Sequence, residues 1–353
     1  MALIFYKTKS MVKLLSVTLI LLILLSMLNG GLSSGCKNEQ GDEVDWFVAI
    51  RLPDSRRYWY FENRATRFTV LPDETFLRRL FEGIDLRSDS VQLWNDEPAK
   101  TTSPLLGAVM TAHDKGVLYQ KSGSTGGFYL LHSVPGFPSH NGVSLNFVTP
   151  TGSNYGQSMI CISLKAKIQY DMLMEHINAQ NSRIYFSSFA SELYNREGKR
   201  ISDSSSKTSS TTSLKKLEVT SEVLDQILPQ TAFRFITKTK YNLDDPYEGV
   251  LAGAIKSNWI TETWGRPYKA NTCDEPGRQI VNNQQICFGS TCYASTKDHS
   301  KWALSTSISN LVCISGLNHM DSQSKRGGTF VCFTNMNLYL SMRPIASQYI
   351  ACK

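Results

Sequence analysis

The chain is 353 residues long, 41% hydrophobic and 19% charged, with 37 basic residues against 30 acidic ones and a formal charge of +7. That length is enough for two core-forming halves. The mild charge fits a local cationic groove for an anionic substrate better than a surface that binds nucleic acid by bulk electrostatics, which calls for a pI above about 9 and clustered Lys and Arg.

In chain order, Lys7, Lys9 and Lys13 precede an apolar run from Leu14 to Leu28 broken only by Ser16, Thr18 and Ser26. At about 15 residues the run suits a secretory signal core and is shorter than a spanning helix. Residues 1–35 are therefore expected to be a removed signal peptide, with Ser33 and Gly35 as the small residues before a cut at Cys36. Removal takes three lysines and no acid, lowering the formal charge from +7 to +4, and leaves nothing that predicts stable membrane association. Val44 to Leu52 reads as a buried strand. Pro72, followed by Asp73, Glu74, Phe76, Leu77, Leu80 and Phe81, predicts a helix stopped near Gly83. Val117 to Leu131 predicts a hairpin turning at residues 121–127.

Ser202 to Ser213 is nearly all Ser, Thr, Lys and Asp, with no apolar side chain to bury, so it predicts an exposed loop between an N-terminal lobe, 36–201, and a C-terminal lobe, 214–353. Beyond it, Phe233–Ile236 and Val250–Ile255 are apolar enough for strands, with Lys238, Lys240 and Lys256 able to face a polyanion. His140, His176 and His319 are expected at loop, helix and loop surfaces. Eight cysteines, Cys36, Cys161, Cys273, Cys287, Cys292, Cys313, Cys332 and Cys352, follow the signal, an even number that predicts disulfides in an exported chain without fixing their pairing. Cys287 and Cys292 are close enough to pair locally. The absence of Cys-x-x-Cys and His-x-x-x-His argues against zinc, and no Asn-x-Ser/Thr sequon is present.

The chemistry rests on two copies of His-x-Lys, His113-Asp114-Lys115 and His299-Ser300-Lys301. On a strand, residues i and i+2 point from one face, so each copy could aim an imidazole and an ammonium at one phosphate. A neutral imidazole can attack phosphorus, a protonated one can supply the leaving oxygen's proton, and the lysines can hold the non-bridging oxygens.

The surrounding segments resemble the deoxyribonuclease II family, the acid endonucleases of the phospholipase D superfamily. The resemblance runs through Val44-Asp45-Trp46-Phe47-Val48, Trp94-Asn95-Asp96-Glu97-Pro98, Ala112-His113-Asp114-Lys115-Gly116, Gly127 to Pro138, Tyr155-Gly156-Gln157, Asp298-His299-Ser300-Lys301-Trp302 and Arg326-Gly327-Gly328-Thr329. It implies a two-lobed α/β phospholipase D-like fold, mixed sheets flanked by helices, with one His-x-Lys per lobe facing a shared cleft. It implies disulfides Cys36–Cys161, Cys273–Cys352 and Cys313–Cys332, leaving Cys287 for Cys292. Two departures stand out: Ala303 where the family carries Cys, and the additional Cys287/Cys292 pair.

The implied reaction is metal-independent cleavage of DNA to 3′-phosphate and 5′-hydroxyl ends through a phosphohistidine, without a cofactor. His113 is taken as nucleophile and His299 as acid by analogy, and exchanging them fits the sequence equally. His132 is expected to orient phosphate or a catalytic partner, Asp298 to orient a catalytic side chain or cap a turn, and Trp302 to stack on a base or pack in the core. DNA is the expected substrate, the chain a monomer or homodimer, and the destination lysosomal or, with slight preference, secreted. The competing class is a catalytically silent secreted DNA-binding or host-interacting protein of the same fold.

Overall fold

The structure, a computed structural model, describes residues 34–98, 112–148, 154–189, 232–265 and 267–352. The expected signal segment, except for its last two residues, and the Ser202–Ser213 loop lie outside the described residues.

Two eight-stranded sheets organise the chain. The first is built from β1 (Trp46–Arg51), β2 (Tyr58–Glu62), β3 (Thr69–Leu71), β4 (Ser90–Trp94), β5 (Lys115–Gln120), β6 (Gly127–His132), β7 (Gln157–Leu164) and β8 (Ile184–Ser187), in the order β8-β4-β5-β6-β7-β1-β2-β3. The second is built from β9 (Phe233–Lys238), β10 (Trp259–Glu262), β11 (Ile280–Phe288), β12 (Thr291–Ala294), β13 (Trp302–Ser305), β14 (Leu311–Ser315), β15 (Gly328–Thr334) and β16 (Ala346–Tyr349). Its order is β9-β15-β14-β13-β10-β11-β12, with β16 also paired to β11. The first sheet is antiparallel throughout, and the mixed character expected of both is carried by the parallel β10–β11 pair of the second.

Five strands of each sheet match. Taken in chain order, β1, β4, β5, β6 and β7 take the same places, β4-β5-β6-β7-β1, as β9, β10, β13, β14 and β15 do in β10-β13-β14-β15-β9. Each His-x-Lys leads into the third strand of its set in chain order, β5 or β13.

The sheets are covered on both faces, which explains strands that read as continuous apolar runs. In β1 the alternating side chains Trp46, Val48 and Ile50 enter the core shared by the sheets, where Trp46 meets Phe233 and Phe333. Phe47 and Ala49 point the other way, into a second cluster with Phe76 and Leu77 of α1 (Thr75–Phe81). Fully burying side chains of this size contributes about 1.5–3 kcal/mol each. The helix starts after Pro72 as expected and ends before Gly83, whose φ of +81° favours glycine. α2 (Lys167–Ala179) puts Tyr170, Leu173 and Ile177 into the shared core.

The expected strand at Val250–Ile255 is instead helical. Asp245 accepts hydrogen bonds from the Tyr247 and Glu248 amides (2.8 and 2.9 Å), starting the π-helical turn Pro246–Leu251, which runs into α3 (Ala252–Ala254). Val250 and Leu251 pack on the outer face of the second sheet with Trp259 and Cys313. The last helix, α4 (Met336–Met342), is capped by Asn335. All four disulfides are formed: Cys36–Cys161, Cys273–Cys352, Cys287–Cys292 and Cys313–Cys332. Among the described residues no helix is long and apolar enough to cross a membrane.

Candidate active site

The two His-x-Lys segments are braced reciprocally, each against the other sheet. The His113 amide donates to the carbonyl of Gly327 at 2.9 Å, and the His299 amide to that of Gly156 at 2.8 Å. Lys301 is held further by its own amide, which donates to Ser158 Oγ at 3.0 Å. Within each segment the ammonium folds back on its histidine: Lys115 Nζ donates to the His113 carbonyl (3.2 Å) and Lys301 Nζ to the His299 carbonyl (2.7 Å). Both lysines are 3% exposed.

His113 Nδ1 lies 2.6 Å from the carbonyl oxygen of Gly316. A carbonyl only accepts, so Nδ1 carries the proton and the lone pair of the neutral ring is on Nε2. Packing around the ring, followed by the charge of Lys115, pushes the His113 imidazole well below its usual 6.5; Lys301 and Arg326 act in the same sense and Asp96 opposes them. Gly316 is required here, because a Cβ would meet Asp114 Oδ1 at 1.7 Å. Burial raises the Asp114 carboxyl to about 7.

Asp96 is the counter-ion of this half. One oxygen takes the Lys115 ammonium, the other Arg326 Nη2 at 2.8 Å, and the carboxylate is 5% exposed. Burial alone would raise it, but Lys115, His113 and Arg326 hold it well below the ordinary carboxylate range. Arg326 also donates to the Ala112 carbonyl at 3.2 Å. In the other half, burial first and the charge of Lys115 second lower the Lys301 ammonium to about 7, so the two lysines feel each other across the site. Aromatic rings surround His299: Tyr155 stacks on it at 4.2 Å with a 19° interplanar angle, and Trp264 meets it edge-on at 4.9 Å.

The remaining expected site residues have other surroundings. His132 lies opposite Lys115 in the β5–β6 register, buried, with Nδ1 accepting from the Val134 amide at 3.2 Å and the ring edge-on to Phe137. These contacts hold the strand end beside Lys115. Asp298 is fully buried, accepts from the Ser300 amide at 2.7 Å and lies 3.4 Å from the Tyr293 hydroxyl; burial raises its carboxyl to about 6. It therefore backs the second motif from inside. Trp302 corrects an expectation: with no exposed surface, its ring has no face for a base and belongs to the shared core.

Lys238 faces no polyanion either. It is buried, and its ammonium donates to carbonyls that include Ser324 (2.7 Å) and Arg326 (3.0 Å), supporting the loop that carries Arg326. Nor are His176 and His319 at the surface. His176 Nδ1 meets Thr237 Oγ1 on β9 at 2.6 Å, and His319 is buried with Nδ1 2.8 Å from Asn282 Oδ1. His319 brings a third group to Asp245 and Glu248, but the Lys269 ammonium already occupies those carboxylates at 3.3 and 2.8 Å. Asp96, Tyr155, Gly316, Trp264 and Arg326 received no role from the sequence. Tyr155 and Arg326 did carry a signal, since each precedes a glycine that stands just before a strand, but its meaning depends on the register of the two sheets.

Two matched sheets with a paired His-x-Lys between them define a phospholipase D-like hydrolase. A profile described as Deoxyribonuclease II matches residues 35–352, and the chain belongs to the deoxyribonuclease II family. It is similar to Plancitoxin-1 of Acanthaster planci, 29% identical over 90% of this chain and 92% of the relative. It is also similar to human Deoxyribonuclease-2-beta, 27% identical over 98% and 100%, and to Deoxyribonuclease-2 of Caenorhabditis elegans, 26% identical over 89% and 92%. The chain is thus a nuclease, a hydrolase of DNA.

Proposed function

We propose that this deoxyribonuclease cuts by two phosphoryl transfers between paired histidines, without a metal. In the first, His113 Nε2 attacks phosphorus, the bond to the 5′ oxygen breaks, and His299 gives that oxygen its proton, leaving a free 5′-hydroxyl. In the second, His299, now neutral, takes a proton from water as the water oxygen attacks; the phosphorus–nitrogen bond breaks, its electron pair returns to His113 Nε2, and a 3′-phosphate is released. Lys115 and Lys301 hold the non-bridging oxygens, supplying the charge that a metal supplies in other phosphoryl-transfer sites.

The observation that carries this reading is the His113–Gly316 contact, which keeps the Nε2 lone pair available for attack. Mildly acidic pH suits the scheme, because it charges Lys301, whose ammonium is lowered to about 7, and supplies the leaving-group proton. The four disulfides suit an oxidising compartment, so the protein works after export, lysosomal or, with slight preference, secreted. Each half, 36–201 and 214–353, contributes one motif to a single site complete in a monomer.

The test is nicking of supercoiled plasmid at pH 5 in excess EDTA by wild type, His113→Ala and His299→Ala. Cleavage by wild type alone, leaving 3′-phosphate ends, is expected. Loss of wild-type cleavage in EDTA, or full cleavage by either variant, would overturn the reading.

A further inference from the structure

The matched strand order makes the two motifs comparable residue by residue, and the comparison isolates one difference. His299 and His113 donate their amides to Gly156 and Gly327, which stand just before β7 and β15, the corresponding strands of the two sheets. The residues before those glycines are Tyr155 and Arg326. At one histidine this position supplies an aromatic face; at the other it supplies a guanidinium. Resting on the two-histidine mechanism above, we propose that Tyr155 and Arg326 set opposite proton states on the two imidazoles, Tyr155 favouring protonated His299 as the acid and Arg326 favouring neutral His113 as the nucleophile.

The surroundings of each ring agree with this division. Tyr155 lies nearly parallel to His299 at 4.2 Å and Trp264 closes its edge at 4.9 Å; the negative face of an aromatic ring attracts a cation above it. Of the charged groups nearby, the Lys301 ammonium is turned to the His299 carbonyl (2.7 Å), while the Asp298 carboxylate is turned to the Ser300 amide and the Tyr293 hydroxyl. Of the charged groups acting on His113, three are cations, Lys115, Lys301 and Arg326, and the carboxylate of Asp96 opposes them. Arg326 is anchored there by Asp96 and by the carbonyl of Ala112, the residue before His113. A protonated His113 would meet that cluster as a fourth positive charge. The same fold therefore presents one imidazole ready to give a proton and one ready to give a lone pair, through positioning residues that need not touch the reacting atoms.

The experiment is NMR titration of the histidine rings in the full disulfide-bonded chain, together with pH profiles of plasmid cleavage. Tyr155→Leu should lower the His299 midpoint by about one pH unit and move the alkaline limb of kcat/KM down equally, with the rate at the acid end nearly kept. Tyr155→Phe, which keeps the ring, should titrate like the wild type. Arg326→Gln should raise the His113 midpoint, and denaturation at alkaline pH during turnover, which preserves a phosphorus–nitrogen bond, should recover the DNA 3′-phosphoryl group on His113. An unmoved His299 midpoint in Tyr155→Leu, a loss of rate uniform across pH, or phosphate recovered on His299 would overturn the assignment. A wild type that fails to cut in EDTA would instead overturn the mechanism on which it rests.

Discussion

Replacing Asp96 by Asn tests whether the charge cluster around His113 is held by a single carboxylate. The substitution keeps the shape of the side chain and removes its charge, leaving Lys115, 3% exposed, without its counter-ion and Arg326 without its 2.8 Å partner. Breaking a buried ion pair by removing one member costs about 3–5 kcal/mol, because the remaining charge stays buried. For a chain of this size, at about 2 °C of melting temperature per kcal/mol, Asp96→Asn should melt about 6–10 °C below wild type. The Asp96 carboxyl is held well below its ordinary 3.8 by Lys115, His113 and Arg326 against the effect of burial. Its stabilisation is therefore fully present above about pH 4 and is lost as pH falls toward the folded value. Scanning calorimetry at pH 5 and pH 7 should show the same gap, and the gap should shrink on acidification below pH 4. Adding Lys115→Met to Asp96→Asn should recover part of the loss by removing the stranded cation, whereas Asp42→Asn on the exposed surface should change little. A single variant melting within about 2 °C of wild type, or a double variant no better than the single one, would refute the reasoning.

The lowered Lys301 ammonium, about 7, loses its charge above pH 7 in addition to the loss of the His299 proton, so on the alkaline side kcat/KM should steepen from about tenfold toward about a hundredfold per pH unit; a limb that stays at about tenfold per pH unit to pH 9 would exclude a second controlling cation at Lys301. Gly316→Ala forces a Cβ against Asp114 Oδ1 and displaces the carbonyl that orients His113, so stability should drop about 1–3 kcal/mol and cleavage should fall further than that loss explains. Denaturant melts and rates on the same preparation separate the two effects. His176 is lowered to about 4 by burial, so the stability it supports is present above pH 6.5 and lost as pH falls to about 4, roughly 3 kcal/mol in all. His176→Gln should flatten that part of the stability-against-pH curve; an unchanged curve would show that the loss arises elsewhere.

What the sequence made legible was local. β1, the β5–β6 hairpin and α1 follow from apolar runs bounded by Pro, Gly and charged turns, signals that tertiary packing reinforces. Val250–Ile255 was misread because its apolar composition suits a strand as well as a buried helix, and the deciding cue lies upstream, in an Asp245 side chain that captures two amides before Pro246 blocks strand pairing. His176 and His319 show the opposite limit. Nothing beside them in the sequence indicates burial, which is created by Thr237 and Asn282, 61 and 37 residues away. Cys287 and Cys292 were close enough to pair locally, but the other three disulfides were readable only through the family resemblance, since no rule of spacing brings Cys273 to Cys352.

The matched halves also explain why the paired motifs alone could not assign the chemistry. The two halves repeat strands, carbonyl braces and the fold-back of each lysine, and any feature that repeats treats His113 and His299 alike. The roles can differ only through features that do not repeat. Asp96 is one: it neutralises Lys115 within the free protein, while Lys301, close enough to Lys115 for their charges to interact, has its ammonium lowered to about 7. A DNA phosphate entering between them would supply the negative charge that favours the protonated form of Lys301, tying substrate binding to proton uptake on that side alone. The Tyr155–Arg326 difference acts on the imidazoles in the same direction. On the proposed mechanism, the His113 side of the site, with Arg326 and Asp96 drawn from different halves of the chain, is the neutral nucleophilic side, and the His299 side, with Tyr155 and Lys301, gains its positive charge as acid and substrate arrive.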